Sequence, residues 1–242
     1  MIKALVLGAN GATGQLLVNS LLHKGVRVIA IVRDANSLAN RNNSELPNLQ
    51  IVEANIVELS ENDLAYYLKE CELVFSCLGH NLSFKGIFGH PRRLVKDAIE
   101  KVVQTVKSTD NHHKIKFILM NTTGNSNRDI PEKPPYSQRI VISLLRLLLP
   151  PHVDNEDAAD YLRVQVGQNS DKIEWVTVRP DALINEQQVS LYDINISPIR
   201  NVIFNAGSTS RINVADFMSE LAVNRTLWDK WQGKMPVIYN QL

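Results

Sequence analysis

The chain has 242 residues, 44% of them hydrophobic, with 26 Lys and Arg against 25 Asp and Glu for a formal charge of +1. Balanced charge without a long basic block argues against a nucleic-acid partner or an anionic membrane surface, which leaves a small molecule as the expected partner. No apolar stretch approaches the roughly 20 residues of a membrane span, and Met1 runs into an apolar segment with no cationic flank, h-region or cleavage site, so a cytoplasmic location is expected.

Ile2 to Leu7 reads as a strand and Gln15 to Lys24 as an amphipathic helix carrying Leu16, Leu17, Leu21 and Leu22. Between them lies Gly8-Ala9-Asn10-Gly11-Ala12-Thr13-Gly14. A strand that turns sharply into a helix to receive a pyrophosphate needs residues without side chains, because a Cβ blocks the turn or the approach of the phosphate. The phosphates then meet the unpaired N–H groups of the first helical turn, where the helix dipole also favours negative charge. An ordinary glycine-rich turn is the bland alternative; a strand before and a helix after are the context that favours a dinucleotide.

Val26 to Val32 is the second expected strand and ends in Val32-Arg33-Asp34, with Arg33 nineteen residues after Gly14. In such a fold an acid at this place binds the ribose 2′-hydroxyl of NAD, whereas a base accommodates the 2′-phosphate of NADP. A guanidinium meets a phosphate through two charge-assisted hydrogen bonds, so NADP(H) is expected, with NAD(H) as the alternative. Asp34 complicates the reading: it either pairs with Arg33 or turns away as a loop residue.

Further strands are expected at Leu49 to Ala54, Leu73 to Leu78, Lys116 to Met120 and Glu174 to Val178, each followed or preceded by a segment long enough for a crossover helix. This alternation predicts an α/β fold, a doubly wound and mostly parallel sheet with helices on both faces, in one domain spanning 1–242. Residues from about 180 to 242 form a small C-terminal elaboration. Ser60-Glu61-Asn62-Asp63 has the residue types of a capping box, although Asp is shorter than the usual Glu or Gln. Pro91 suits the first position of a helix carrying Leu94, Ala98, Val102 and Val106. Cys71 and Cys77 lack metal or disulfide spacing and read as core residues, and no metal site is expected; His112-His113 reads as a solvated loop.

Two connections are longer than a βα turn requires: Gly79 to His90, and Asn121 to Ser137. Long connections at the C-terminal ends of parallel strands are where such sheets bind ligands. His80, Phe84, Phe88 and Tyr136 are therefore candidates for the pocket lining, with Phe84 and Phe88 alternatively anchoring their own loop. Ser137 to Leu149 is a helix in which only Arg139, Ser143 and Arg146 form a polar stripe. A buried or pocket-covering helix is the first reading and self-association into a dimer the second; membrane contact comes last, because the run is short and ends at Pro150-Pro151.

Taken together these residues resemble the atypical short-chain dehydrogenase/reductases, especially the NmrA-like and biliverdin-IXβ reductase (flavin reductase)-like members. The likeness rests on Gly8 to Gly14, Val32-Arg33-Asp34, Asn55 after the third strand, and Ser76-Cys77-Leu78-Gly79. It continues in Asn121-Thr122-Thr123-Gly124, Asp157 to Arg163, Trp175 to Pro180 and Ser210 to Asp216. The resemblance implies a Rossmann sheet in which Gly8, Asn10, Gly11, Ala12, Thr13 and Gly14 hold the pyrophosphate and Arg33 takes the 2′-phosphate. By the same likeness Asn55 and Ile56 lie by the adenine, Leu78 and Gly79 pass under the ribose, Thr122 borders the nicotinamide, and Arg179 and Pro180 approach it through backbone groups. Asn55 is equally a good turn residue and Leu78 a good core residue.

Many members of the wider superfamily use a tyrosine with a lysine four residues later. Counting four on from Tyr66, Tyr67, Tyr136, Tyr161 and Tyr192 gives Glu70, Cys71, Ile140, Gln165 and Ile196, and alignment places Pro151 and Asn155 where the pair would stand. Acid–base catalysis of that kind is absent. What remains is hydride transfer to a planar acceptor such as a flavin or quinone, which requires orientation more than acid–base groups. Thr122 and His152 are the candidate catalytic helpers, each with a structural alternative: a hydroxyl satisfying nearby amides, and a solvated or structural histidine in a turn. The competing expectation is a non-catalytic NADP(H) redox sensor or regulatory protein of NmrA-like type.

Overall fold

The computed structural model describes residues 1–36, 47–80, 89, 91–109 and 113–241. Its strands are β1 (Lys3–Leu7), β2 (Arg27–Val32), β3 (Leu49–Glu53), β4 (Leu73–Ser76), β5 (Ile115–Met120), β6 (Ile173–Pro180), β7 (Ala182–Ile184), β8 (Tyr192–Asn195), β9 (Ser208–Ser210) and β10 (Val237–Asn240). Eight of them form one sheet in the order β3-β2-β1-β4-β5-β6-β10-β8, parallel throughout except for the β10–β8 edge pair. β7 and β9 pair separately and in parallel, with Ile184 opposite Ser210. The order reverses at β1, which has β2 on one side and β4 on the other, so a crevice opens at its C-terminal end, where ligands bind in folds of this kind.

The helices are α1 (Ala12–His23), α2 (Glu61–Leu68), α3 (Leu94–Ser108), α4 (Tyr136–Leu148), α5 (Pro150–Asp160), α6 (Arg211–Val223) and α7 (Arg225–Trp231), with a π-helical turn over Tyr161–Val166 extending α5. β1 reads as a continuous apolar run because both its faces are covered. Ala4 and Val6 join the core shared with α1 and α6, whereas Leu5 and Leu7 join the core beneath α2, α3 and α5. The stripe Ala98, Val102 and Val106 is fully buried on α3. Ser60 caps α2 by accepting from the Asp63 N–H at 3.1 Å, and its hydroxyl donates to the Asp63 carboxylate at 2.6 Å. The shorter acid thus closes on the hydroxyl.

Three local expectations are corrected. Pro91 is not the first residue of α3, which starts at Leu94 after Arg93. Pro150 opens α5, so His152 lies in the first turn of a helix instead of in a connecting turn; proline is tolerated there because the N–H it lacks has no intrahelical partner. The segment 137–149 is not buried. Gln138 and Ile142 form the inner face of α4, while Tyr136, Ile140, Leu144, Leu147 and Leu148 are 81, 70, 52, 80 and 53% exposed. Arg146, on the polar stripe, is exposed and reaches α5, where it grips Glu156 through two hydrogen bonds of 2.7 Å. Cys71 is fully buried, and His113 is exposed, its ring hydrogen-bonded with the Cys71 carbonyl at 3.0 Å; His112 lies outside the described residues.

Candidate functional site

β1 delivers the chain to Gly8, whose φ of +75° an L side chain rarely adopts. A Cβ there would stand 2.7 Å from the carbonyl carbon and oxygen of Cys77 and 2.8 Å from the Leu78 nitrogen. At Gly14 it would stand 2.2 Å from the Gly8 carbonyl oxygen, so the third glycine lets α1 pack onto the turn. Gly11 is the N-cap of α1 and offers no side chain, which leaves the N–H groups of the first turn open toward a cavity of about 1000 Å³. Gly8, Asn10, Gly11, Ala12 and Thr13 line that cavity; Gly14 lies beneath it in the turn. Asn10 is pinned by its amide, which donates to the Asp34 carbonyl at 2.9 Å, while its Oδ1 is buried without a partner. A row of open N–H groups and a turn into which no Cβ fits together suit a pyrophosphate-bearing ligand.

Arg33 and Asp34 continue this wall, and Arg33 is exposed at the end of β2. The Asp34 carboxylate accepts from the Asn36 N–H at 3.0 Å, the behaviour of a loop residue. Glu53 fixes the same loop by accepting from the Ala35 N–H at 2.8 Å. Asn55 and Ile56 line the cavity beyond β3, and Asn55 is also a turn residue, with its Oδ1 accepting from Val57 and its amide donating to Glu58. Leu78 and Gly79 follow β4 along the floor. Cys77 beside them is held as a thiol, because burial pushes its pKa up to about 12.

His80 lines the cavity and its Nε2 lies 2.7 Å from Asp154 Oδ2. Asp154, on α5 and 2% exposed, also accepts from the N–H groups of Val95 and Lys96 at 2.8 and 3.0 Å. It therefore caps α3 from another helix, where its negative charge suits the positive end of the dipole. Its neighbour Asn155 lines the cavity at the place aligned with the missing lysine, and the Asn155 carbonyl accepts from the Asn121 amide at 2.9 Å. Among the described residues no tyrosine and no lysine lines this cavity.

Other candidates fall away from its walls. Thr122 is half-buried and its hydroxyl oxygen accepts from the Gly124 N–H at 3.2 Å; Met120 and Asn121 are the residues of that segment at the cavity. The His152 side chain is 11% exposed, its Nε2 has no hydrogen-bond partner, and burial, aided by the nearby Arg146, pushes its pKa below the ordinary histidine value. Tyr136 is solvent-exposed on α4 and does not line the pocket; Phe84 and Phe88 lie outside the described residues. Arg179 is fully buried, donating to the carbonyls of Met235 and Asn125 at 2.8 Å each and pairing with Glu132 at 2.7 Å. Its guanidinium stitches the 121–137 connection to the C-terminal part. The Pro180 carbonyl accepts from Thr123, and neither residue borders the large cavity.

The connection after β5 also borders a smaller cavity of about 280 Å³, lined by Thr123, Ser126, Lys133 and Gln138 together with Ser197, Arg200 and Asn201. Sequence reasoning missed Asp154, buried behind the wall residue His80, and Arg211, which lines the large cavity. Asp154 stood one place before a noted vacancy, but its role as a remote cap depends on tertiary packing. Arg211 stood inside the motif quoted for residues 210–216, which marks a strand-to-helix element without marking what the arginine faces.

A family model described as NAD(P)H-binding matches residues 8–225, from the glycine turn to the start of α7. No curated protein matches the chain. Among solved structures, the oxidoreductase YlbE of Lactococcus lactis superposes with a TM-score of 0.68 at 19% identity, covering 99% of this chain and 91% of that one. A short-chain dehydrogenase/reductase (wide type) of Veillonella parvula, solved in complex with NADP, gives 0.65 at 12% identity over 99 and 94% of the chains. The anaerobilin reductase ChuY of Escherichia coli O157:H7 gives 0.66 at 15% identity over 98 and 97%. At these identities the likeness is one of fold.

Proposed function

The chain belongs to the NAD(P)H-binding family, and from that membership we propose that it is an NADPH-dependent reductase of a planar acceptor, a flavin, quinone or similar ring. The observation that carries the reading is a dinucleotide-sized cavity at the glycine turn, lined by Gly8, Gly11, Ala12 and Thr13. The superposed oxidoreductase YlbE and anaerobilin reductase ChuY support it by analogy of fold.

In this reading the open N–H groups of α1 bind the pyrophosphate, Arg33 binds the 2′-phosphate and so favours NADP(H) over NAD(H), and Asn55 and Ile56 flank the adenine. Leu78 and Gly79 present backbone to the ribose. Bound there, the reduced nicotinamide supplies a hydride. The protein contributes orientation and a site screened from water, and the acceptor's proton comes from solvent. Thr122, next in the chain to Asn121 of the cavity wall, is assigned the hydrogen bond to a developing anion, with Arg179 and Pro180 acting only through the backbone of their strand. His152 stays neutral and serves packing. The exposed stripe of α4 supports self-association as the role of that helix.

The test is NADPH consumption with a panel of flavins and quinones, for the wild type and Thr122→Val. Turnover with a planar acceptor, slowed in the variant, is the expected result. No turnover with any acceptor, together with unequal affinity for NADP and NADPH, would replace the reductase by a redox sensor; equal affinity would leave a regulatory binding protein.

A further inference from the structure

Arg211 is the cation of the large cavity for which the glycine turn and the β2 arginine do not account. It is the first residue of α6, directly after β9, and shares the cavity wall with Gly11, Ala12 and Thr13. Its Nη1 donates to Asn185 Oδ1 at 2.9 Å. Asn185 follows β7, so the two paired strands end in residues that hold one another. The acceptor is a neutral amide, and among the described residues no carboxylate forms an ion pair with this guanidinium. An arginine fixed in place by one neutral hydrogen bond keeps its charge and most of its five donors for something else.

Topology says which anion it meets. Arg33 reaches the cavity from β2, on one side of the glycine turn, beside the Asn55 and Ile56 wall. Arg211 comes from the far side of β1, where β7 continues the chain after β6. The 2′-phosphate belongs to the adenosine end and is served by Arg33; the anion between the two halves of the molecule is the pyrophosphate, already placed on α1. We propose that Arg211 is a second pyrophosphate-binding group, a cation supplied by the C-terminal elaboration that clamps the dinucleotide against the open N–H groups of α1. The assignment rests on dinucleotide binding and is independent of turnover.

Calorimetry with NADPH, NADH and adenosine 2′-monophosphate separates the two arginines. For Arg211→Gln, NADPH and NADH are expected to weaken by the same factor, roughly 10- to 100-fold for a charge-assisted contact to phosphate, while adenosine 2′-monophosphate binds as to the wild type. For Arg33→Gln, NADPH and adenosine 2′-monophosphate weaken and NADH does not. Arg211→Lys keeps the charge but loses the fork, so it weakens both dinucleotides equally and by less; it provides the same reading if the glutamine variant unfolds. Unchanged affinity for both dinucleotides in a folded variant, or a loss confined to NADPH and adenosine 2′-monophosphate, would overturn the assignment. Wild-type protein that binds neither dinucleotide would bring down the cofactor site itself.

Discussion

Gly8 and Gly25 form a matched pair that isolates what the glycine turn contributes. Both have positive φ, +75° and +74°, so an alanine at either place is strained by about 1–2 kcal/mol for an L residue in left-handed backbone. They differ in surroundings. At Gly25, just beyond the end of α1, a Cβ has nothing within 4 Å; at Gly8 it meets the Cys77 carbonyl at 2.7 Å and the Leu78 nitrogen at 2.8 Å. Those atoms are backbone at the end of β4, and relief requires β1 and β4 to part where the Cys77 N–H donates to the Leu7 carbonyl at 2.9 Å. Overpacking of this kind adds about 1–3 kcal/mol. Gly25→Ala is thus expected to cost about 1–2 kcal/mol and Gly8→Ala about 2–5 kcal/mol in urea unfolding at constant m. The entropy an alanine removes from the unfolded chain is common to both and cancels in the comparison. Gly25→Ala should bind NADPH like the wild type, and Gly8→Ala should not. Equal destabilisation with equal NADPH affinity would refute the reasoning that the turn is tight because a dinucleotide lies on it.

Arg33→Gln should weaken NADPH by roughly 10- to 100-fold and leave NADH unchanged by calorimetry; tighter NADH binding by the wild type would contradict the NADP(H) preference. His152 is held below the ordinary histidine value by burial, so the folded protein binds fewer protons than the unfolded chain at mildly acid pH. Its contribution is complete above about pH 6.5 and is lost as pH falls below it, so His152→Asn should flatten the acid-side decline in Tm; an unchanged slope would refute this. The five exposed side chains on α4 present on the order of 500–600 Å² of largely apolar surface, and two copies would together bury about 1,000–1,200 Å², the lower end for a specific interface. Sedimentation velocity should therefore show weak, concentration-dependent dimerisation, abolished in the double variant Ile140→Glu and Leu147→Glu; a wild type that stays monomeric at high concentration would exclude it.

The strands and the glycine turn were legible because their signals are local: a run of Val, Ile and Leu closed by Gly8, a cap at Ser60, a stripe of buried positions at Ala98, Val102 and Val106. The faces of α4 were not. Periodicity shows that a helix has two sides but not which one meets the protein, and here Gln138 and Ile142 face inward while the leucines stay outside. Asp154 was hidden for a related reason, since it caps a helix that starts some sixty positions earlier, and no spacing rule reaches that far. Arg179 lay inside a recognisable Arg-Pro signature, yet its guanidinium serves Glu132 and the carbonyls around it. A signature marks where the backbone goes, and the fate of its side chain is decided by residues brought close only on folding.

The most direct test of the central claim is a single-turnover measurement with NADPH carrying deuterium at the transferred C4 position and the best acceptor found. Direct hydride transfer predicts that NADPH oxidation, followed by its absorbance, slows severalfold relative to the protium form, because the C–H bond breaks in the observed step. Oxidation at the same rate for both isotopologues, or none with any flavin or quinone, would contradict it.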